Sequence, residues 1–220
     1  MIMAVIHATT MDPGKLALLA GWLPAQPWYD GSAGAPRLAV SGGFRLDDPE
    51  GAVGMEFMFV TDAAGAEPRT YQVPLTYRGA PLGGAEHALV GTSEHGVLGK
   101  RWIYDGVRDP VLGAELLALL QGRARPQHQN ASDTPDDSVV VVGAAGDGAD
   151  AAPPPWPVTD GRDASGVHAG PYTLTLLRVL GPESAAARDA DASVTGGWRT
   201  PDGAERRGPL ALLHRTPTRP

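Results

Sequence analysis

Residues 53–79, VGMEFMFVTDAAGAEPRTYQVPLTYRG, constrain the fold more than any other stretch of this chain. Two runs rich in aromatic and β-branched residues flank DAAGAEP, which turns the chain, so the pattern predicts an antiparallel hairpin. Strand side chains alternate between faces, which puts Met55, Phe57 and Phe59 on one side and Glu56 and Met58 on the other. Pro74 has no backbone N–H to donate, so the returning strand is expected at an edge or a bulge.

The flanking sequence supplies more strands and two helices. MAVIHATT (3–10) reads as a first strand. Asp12 is a plausible N-cap, with Pro13 at the first helical position and Leu16, Leu19, Leu23 on one face. Pro24 and Pro27 end that helix, leaving Trp28 and Tyr29 in a loop where rigid rings pack or recognise. RLAVSGGFRLDDPEG is a strand whose Gly42–Gly43 pair predicts a bulge or bend. LDDPEG carries three carboxylates, but its spacing suits a strand-to-strand turn with an Asx cap better than a calcium loop. Two further strands fall near 87–93 and 98–105, broken at Gly96. DPVLGAELLALLQG is then a helix capped by Asp109, begun by Pro110 and stopped by Gly122. Residues 1–122 therefore read as one α+β unit.

From 123 the character changes. Residues 123–170 are polar, then rich in Gly, Ala, Pro and Asp, and read as a linker or loop with one short strand at 138–142. Residues 171–220 hold strand patterns in PYTLTLLRVL, ASVTGGWRTPDG and PLALLHRTP, with Asp202–Gly203 as a hairpin turn. About four strands make a sheet too small to stand alone, so it is expected to pack on, or extend, the first.

Several function classes drop out on composition. A net charge of −7 disfavours a nucleic-acid or acidic-membrane surface, since both need clustered Lys and Arg. The absence of Cys removes disulfides, thiolate zinc sites and a thiol nucleophile. The start MIMAVIHATT lacks the features of a signal peptide, and no run is long enough to span a membrane as a helix. A cytoplasmic location is expected. Histidines 7, 87, 95, 128, 168 and 214 form no i, i+4 pair, so neither a metal site nor a cofactor is expected.

EHGVLGKRWIYDG (94–106) concentrates reactive side chains. His95 between Glu94 and Asp105 suggests an acid–base set, but Ser93 points away from Glu94 on a strand and no G-x-S-x-G elbow exists. In alternation Leu98, Lys100, Trp102 and Tyr104 share one face; Gly99, Arg101, Ile103 and Asp105 share the other. Two readings stand: amphipathic side chains covering a sheet, or a contact surface. The candidate surface comprises Trp28, Tyr29, His95, Lys100, Arg101, Trp102, Tyr104 and Asp105, since aromatic and Arg side chains anchor interfaces.

The words MAVIHATT…KLALLAGWLPAQPWY, QVPLTYRGAPL and HALVGTSEHGVLGKRWIYDGVRDPV occur in one order over residues 1–122. There the chain resembles the N-terminal cap domain of bacterial maltokinases, most specifically in VPLTYRG and H-x-x-LGKRW-x-YD. The resemblance implies a curved, cystatin-like antiparallel sheet with flanking helices. In full-length relatives the cap sits on the small lobe of a kinase-like domain that phosphorylates maltose or a related sugar with ATP, and it supplies no catalytic acid. Further on, YTLTLLRVLGPE resembles the lobe strand that carries the phosphate-gripping Lys, which would fall on Thr175. GGWRTPDGAERRGPLALLHRTP resembles the lobe's next hairpin, and NASDTPDDSVVVV the strand pair that covers ATP. ESAAARDADAS has no apolar stripe for the helix that presents the Lys partner's Glu. The catalytic-loop and metal-binding Asp residues belong to a large lobe that the sequence does not contain. A Thr hydroxyl cannot replace an ammonium against nucleotide phosphates. The expectation is a non-catalytic protein acting in maltose–trehalose–glycogen metabolism, contacting a sugar kinase, a trehalose synthase or another α-glucan enzyme. Rival expectations are a sugar-phosphorylating or glucan-modifying enzyme, an α-glucan-binding module built on Trp28 and Tyr29, and a self-associating protein with exposed strand edges.

Overall fold

The computed structural model describes residues 10–31, 34–143, 151–182 and 185–215. The strand expected at 3–10 lies outside them apart from Thr10, as does most of the GAAGDG loop at 143–148.

The first sheet has seven antiparallel strands: β1 (Met11–Asp12), β2 (Leu38–Asp47), β3 (Gly54–Asp62), β4 (Arg69–Arg78), β5 (Leu89–His95), β6 (Gly99–Asp105) and β7 (Gln127–His128). Their spatial order is β1-β5-β6-β4-β3-β2-β7. The hairpin predicted from residues 53–79 forms as β3–β4, with Phe57 opposite Pro74. Pro74 lies in a central strand rather than at an edge. It is tolerated because β6 pairs only with Leu75–Arg78, while the next bridge on that side joins Tyr71 to Val179. The β2–β3 ladder shifts register at Val40–Gly42, as the paired glycines predict. Gly43 has φ +149°, and a Cβ there would stand 2.5 Å from the Phe57 carbonyl oxygen.

Helix α1 (Lys15–Trp22) begins after Gly14, not after Asp12. Asp12 is instead paired with Glu94, because Met11–Asp12 add a strand to the edge of β5. Helix α2 (Pro110–Leu120) forms as its caps require: Asp109 accepts a hydrogen bond from the Val111 N–H at 3.0 Å, and Gly122 leaves the helix at φ +72°.

A second, six-stranded antiparallel sheet comprises β8 (Val140–Gly143), β9 (Val158–Asp160), β10 (Ala164–Ala169), β11 (Tyr172–Leu177), β12 (Ala192–Arg199) and β13 (Glu205–Arg215). The spatial order is β8-β12-β13-β11-β10-β9. Two strands, β9 and β10, occupy sequence whose composition predicts loop. Their turn is closed by the Gly161 N–H donating to the Ala164 carbonyl at 2.8 Å.

The sheets share one apolar core. Phe44, Phe57 and Phe59 of the first sheet meet Leu112, Leu116 and Leu120 of α2 and Leu174, Leu176, Val194, Trp198 and Leu213 of the second. Each such side chain contributes roughly 1.5–3 kcal/mol on burial. The opposite face of the first sheet, with Met58, Val60, Val73 and Ile103, is covered by Leu19, Leu23 and Trp28. The first sheet is thus a middle layer. The chain after β11 also pairs with β4: the Gln72 N–H donates to the Arg178 carbonyl and the Leu180 N–H to the Thr70 carbonyl, both at 2.8 Å.

Candidate functional site

Strands β5 and β6 form the hairpin that carries EHGVLGKRWIYDG, and its two ends differ. At the tip, Val97 and Leu98 are 60% and 47% exposed. The turn beneath them is held by side chains. His95 Nδ1 accepts from the Val97 and Leu98 amides, Arg101 donates to the Leu98 carbonyl at 2.8 Å, and Gly99 takes φ +68°. Lys100 is exposed, with its ammonium 5.1 Å from the Trp102 ring centre. The tip is therefore a fixed apolar corner flanked by two cations.

At the other end the same strand turns inward. Tyr104 and Asp105 are 3% exposed. The Tyr104 hydroxyl accepts from the Leu82 N–H at 2.9 Å. Asp105 Oδ2 accepts from Arg178 Nη2 at 2.5 Å, inside the seam between the sheets. The Arg178 guanidinium lies 4.7 Å from the Trp28 ring centre and donates through Nε to Ser165 Oγ at 2.8 Å. Asp105 Oδ1 and Arg178 Nη1 are buried without a hydrogen-bond partner.

Of the residues expected on a contact surface, Lys100, Arg101, Trp102 and His95 reach the hairpin surface together. Trp28, Tyr104 and Asp105 do not. Trp28 is 1% exposed, packed against Trp22, Tyr71 and Arg178, so it cannot serve as a stacking platform. Tyr29 is partly buried, and its hydroxyl donates to Asp62 Oδ2 at 2.6 Å. Burial, then that bond and the Asp62 charge, hold the Tyr29 hydroxyl far above the ordinary phenol range. Thr175 sits in β11 between Gly166 and Leu212, half-buried on the face turned away from the shared core. The strand pair directly preceding β11 is β9–β10. Val140–Gly143, expected to belong to such a pair, instead adds an outer strand to β12.

Two features escape the sequence. The first is Glu56, nearly fully buried on the α1 side of β3. Its Oε2 accepts from Lys15 Nζ and the Tyr77 hydroxyl, each at 2.6 Å, and Oε1 accepts from Gln129 Nε2 at 2.7 Å. Burial alone would raise this carboxyl; the Lys15 charge and the three hydrogen bonds outweigh it, and it titrates below the usual carboxylate range. The second is a cleft of about 650 Å³ between the β2–β3 turn, the 82–85 loop, the start of α2 and Pro154–Pro155. In it Asp48 accepts from the amides of Glu50, Ala52 and Val53, so LDDPEG is a capped turn. Glu115, also lining the cleft, is raised by burial and by the Asp48 charge, against a smaller opposing effect of Arg123. No three His, Asp or Glu among the described residues are grouped to hold a metal. No described helix is long and apolar enough to cross a membrane.

Residues 22–109 match the family model of the maltokinase N-terminal cap domain. Over this stretch, the cap segment, the chain is similar to the maltokinase N-terminal cap. The segment runs from the last residue of α1 to the Asp that caps α2 and contains β2 to β6 whole. No curated protein matches the chain. Two buried carboxylates of the cap draw partners from outside it: Glu56 from Lys15 and Gln129, Asp105 from Arg178. Those partners have no local sequence signal. Arg178 is separated from Asp105 by 73 positions, and only the topology joins them.

Proposed function

We propose that this protein is a non-catalytic relative of the maltokinases, a cap fused to a sheet derived from the kinase small lobe, that acts by binding a partner in maltose–trehalose–glycogen metabolism. The carrying observation is Thr175. Strands β12–β13 follow β11 as the lobe resemblance expects, while the hairpin preceding β11 is β9–β10, formed by later residues than the 130–142 stretch the resemblance points to. At the position of the phosphate-gripping Lys that strand offers a hydroxyl between Gly166 and Leu212. A neutral hydroxyl does not offset the charge of a transferring phosphoryl group. Between β11 and β12, where the resemblance places the helix bearing the Lys partner, the described residues Ala185–Asp189 form a five-residue 3-10 turn.

The partner surface is the β5–β6 tip. It combines exposed Val97 and Leu98 with Lys100, Arg101 and Trp102, on a turn already ordered by His95, so little entropy is lost on binding. Calorimetry with Mg-ATP, together with phosphate-transfer assays on maltose and glucosamine, tests the non-catalytic half. Neither heat nor turnover is expected, and turnover by purified protein refutes it. Affinity capture from the native extract tests the other half. A specific sugar-kinase or α-glucan-enzyme partner is expected to be lost with Lys100→Glu/Arg101→Glu, and retention by that variant refutes the surface. The α-glucan-module reading is disfavoured by the burial of Trp28.

A further inference from the structure

The seam between the cap and the second sheet contains a second ion pair that crosses the first. From the cap side come Asp105, at the end of β6, and Arg108, three residues later in the tight turn Gly106–Arg108. From the other side come Arg178 and Asp160. Asp105 accepts from Arg178, and Arg108 donates to Asp160. Ser165 Oγ joins the two pairs, accepting from Arg178 Nε at 2.8 Å and donating to Asp160 Oδ1 at 2.6 Å. Acid and base thus alternate along a continuous chain, with each side contributing one of each sign.

The two pairs differ in their contact with water. The Arg178 and Asp105 side chains are 0% and 5% exposed; those of Arg108 and Asp160 are 24% and 17%. Breaking the inner pair would strand a buried charge, which is strongly unfavourable. Breaking the outer pair only returns two partly exposed groups to water, at the modest cost of a near-surface bridge. The outer pair also holds an edge element with few other ties. Strand β9 is three residues long, is the outermost strand of its sheet and pairs with β10 alone.

We propose that Arg108–Asp160 and Asp105–Arg178 form a two-stage latch. The inner pair fixes the cap on the second sheet, and the outer pair holds the β9–β10 hairpin against the cap and is released first, by ionic strength. The latch stands on the seam geometry and needs neither a partner nor a nucleotide. It therefore survives if the partner-binding reading fails.

Hydrogen exchange on the full chain tests it. At low salt, Arg108→Gln is expected to speed exchange of the 158–169 amides about three- to five-fold, the scale of one partly exposed ion pair. The β3–β4 amides should keep their protection. Arg108→Lys should restore most of the difference, because it keeps the cation. In 1 M salt the wild-type hairpin should exchange nearly as fast as Arg108→Gln, whose own rate changes little, because screening removes the outer attraction. Asp105→Asn should instead loosen the hairpin and the 178–180 segment together. Unchanged hairpin exchange in Arg108→Gln overturns the latch. Equal acceleration by salt in wild type and Arg108→Gln, or no recovery with Arg108→Lys, overturns the claim that charge at Arg108 holds it.

Discussion

Glu56 and Asp105 are both carboxylates of the cap, both buried, and both reached by a cation from outside the matched segment. Glu56 has every oxygen engaged by Lys15, Tyr77 and Gln129. Asp105 keeps one oxygen without a partner, and so does one nitrogen of Arg178. Full satisfaction makes a buried charge a stable part of one layer. Partial satisfaction makes it conditional on the two sheets staying together. Asp105 also lies within the seam where the Arg178 carbonyl and Leu180 N–H pair with β4, so the ion pair and the backbone ladder report the same contact.

The sharpest way to break that contrast is to remove the cation on each side. Arg178→Met should cost about 3–5 kcal/mol, because it leaves Asp105 charged and buried. Because the sheets share one core, the loss should appear in urea as a lower midpoint of a single transition, not as two transitions. Adding Asp105→Leu should recover most of the loss, as matched apolar replacement of buried pairs does. A two-step unfolding curve for wild type would show that the seam does not couple the sheets. Lys15→Met should cost less, about 1–3 kcal/mol, since Tyr77 and Gln129 still donate to Glu56.

Acid tests the Glu56 site directly. The Glu56 carboxyl is lowered in the folded protein, so its contribution is fully present above its unfolded value. It is lost as the pH falls through the lower folded value. Wild type should therefore lose stability on acidification below about pH 4.3, the ordinary Glu value. Glu56→Gln should start less stable at neutral pH but show a shallower acid slope, measured as urea midpoints between pH 7 and pH 3. Parallel slopes would mean that Glu56 does not titrate differently on folding.

What the sequence discloses follows the same division. β2 to β6 are legible because alternation over seven to ten residues marks a buried face, and α2 because Asp109, Pro110 and Gly122 punctuate it. The LDDPEG turn is legible because Asp48 closes it locally, through amides two to five residues away. β9 and β10 are not, since VTDGRDASGVHA mixes Gly, Ser and Asp with its two buried apolar positions, Val167 and Ala169. Trp28 looks like a platform because a Trp after two prolines suggests an open loop. The guanidinium that covers it lies 150 positions onward. Contacts at that separation are set by topology and leave no trace in local pattern. Hence the cap's strands could be read, whereas the partners of its buried charges could not.

The smallest effect is expected at the tip of β5–β6, the opposite end of the strand that carries Asp105. Val97→Ser/Leu98→Ser removes two exposed apolar side chains from a turn whose order comes from His95, Gly99 and Arg101. Its stability should stay within about 0.5 kcal/mol of wild type, as for surface substitutions that break no such feature. Binding of the captured partner should nonetheless fall at least ten-fold, because anchors in a fixed turn carry binding energy out of proportion to their number. Stability falling together with binding would show that the tip serves the fold. Loss of binding alone would separate the two ends of β6, a strand of seven residues, into a contact end and a structural end.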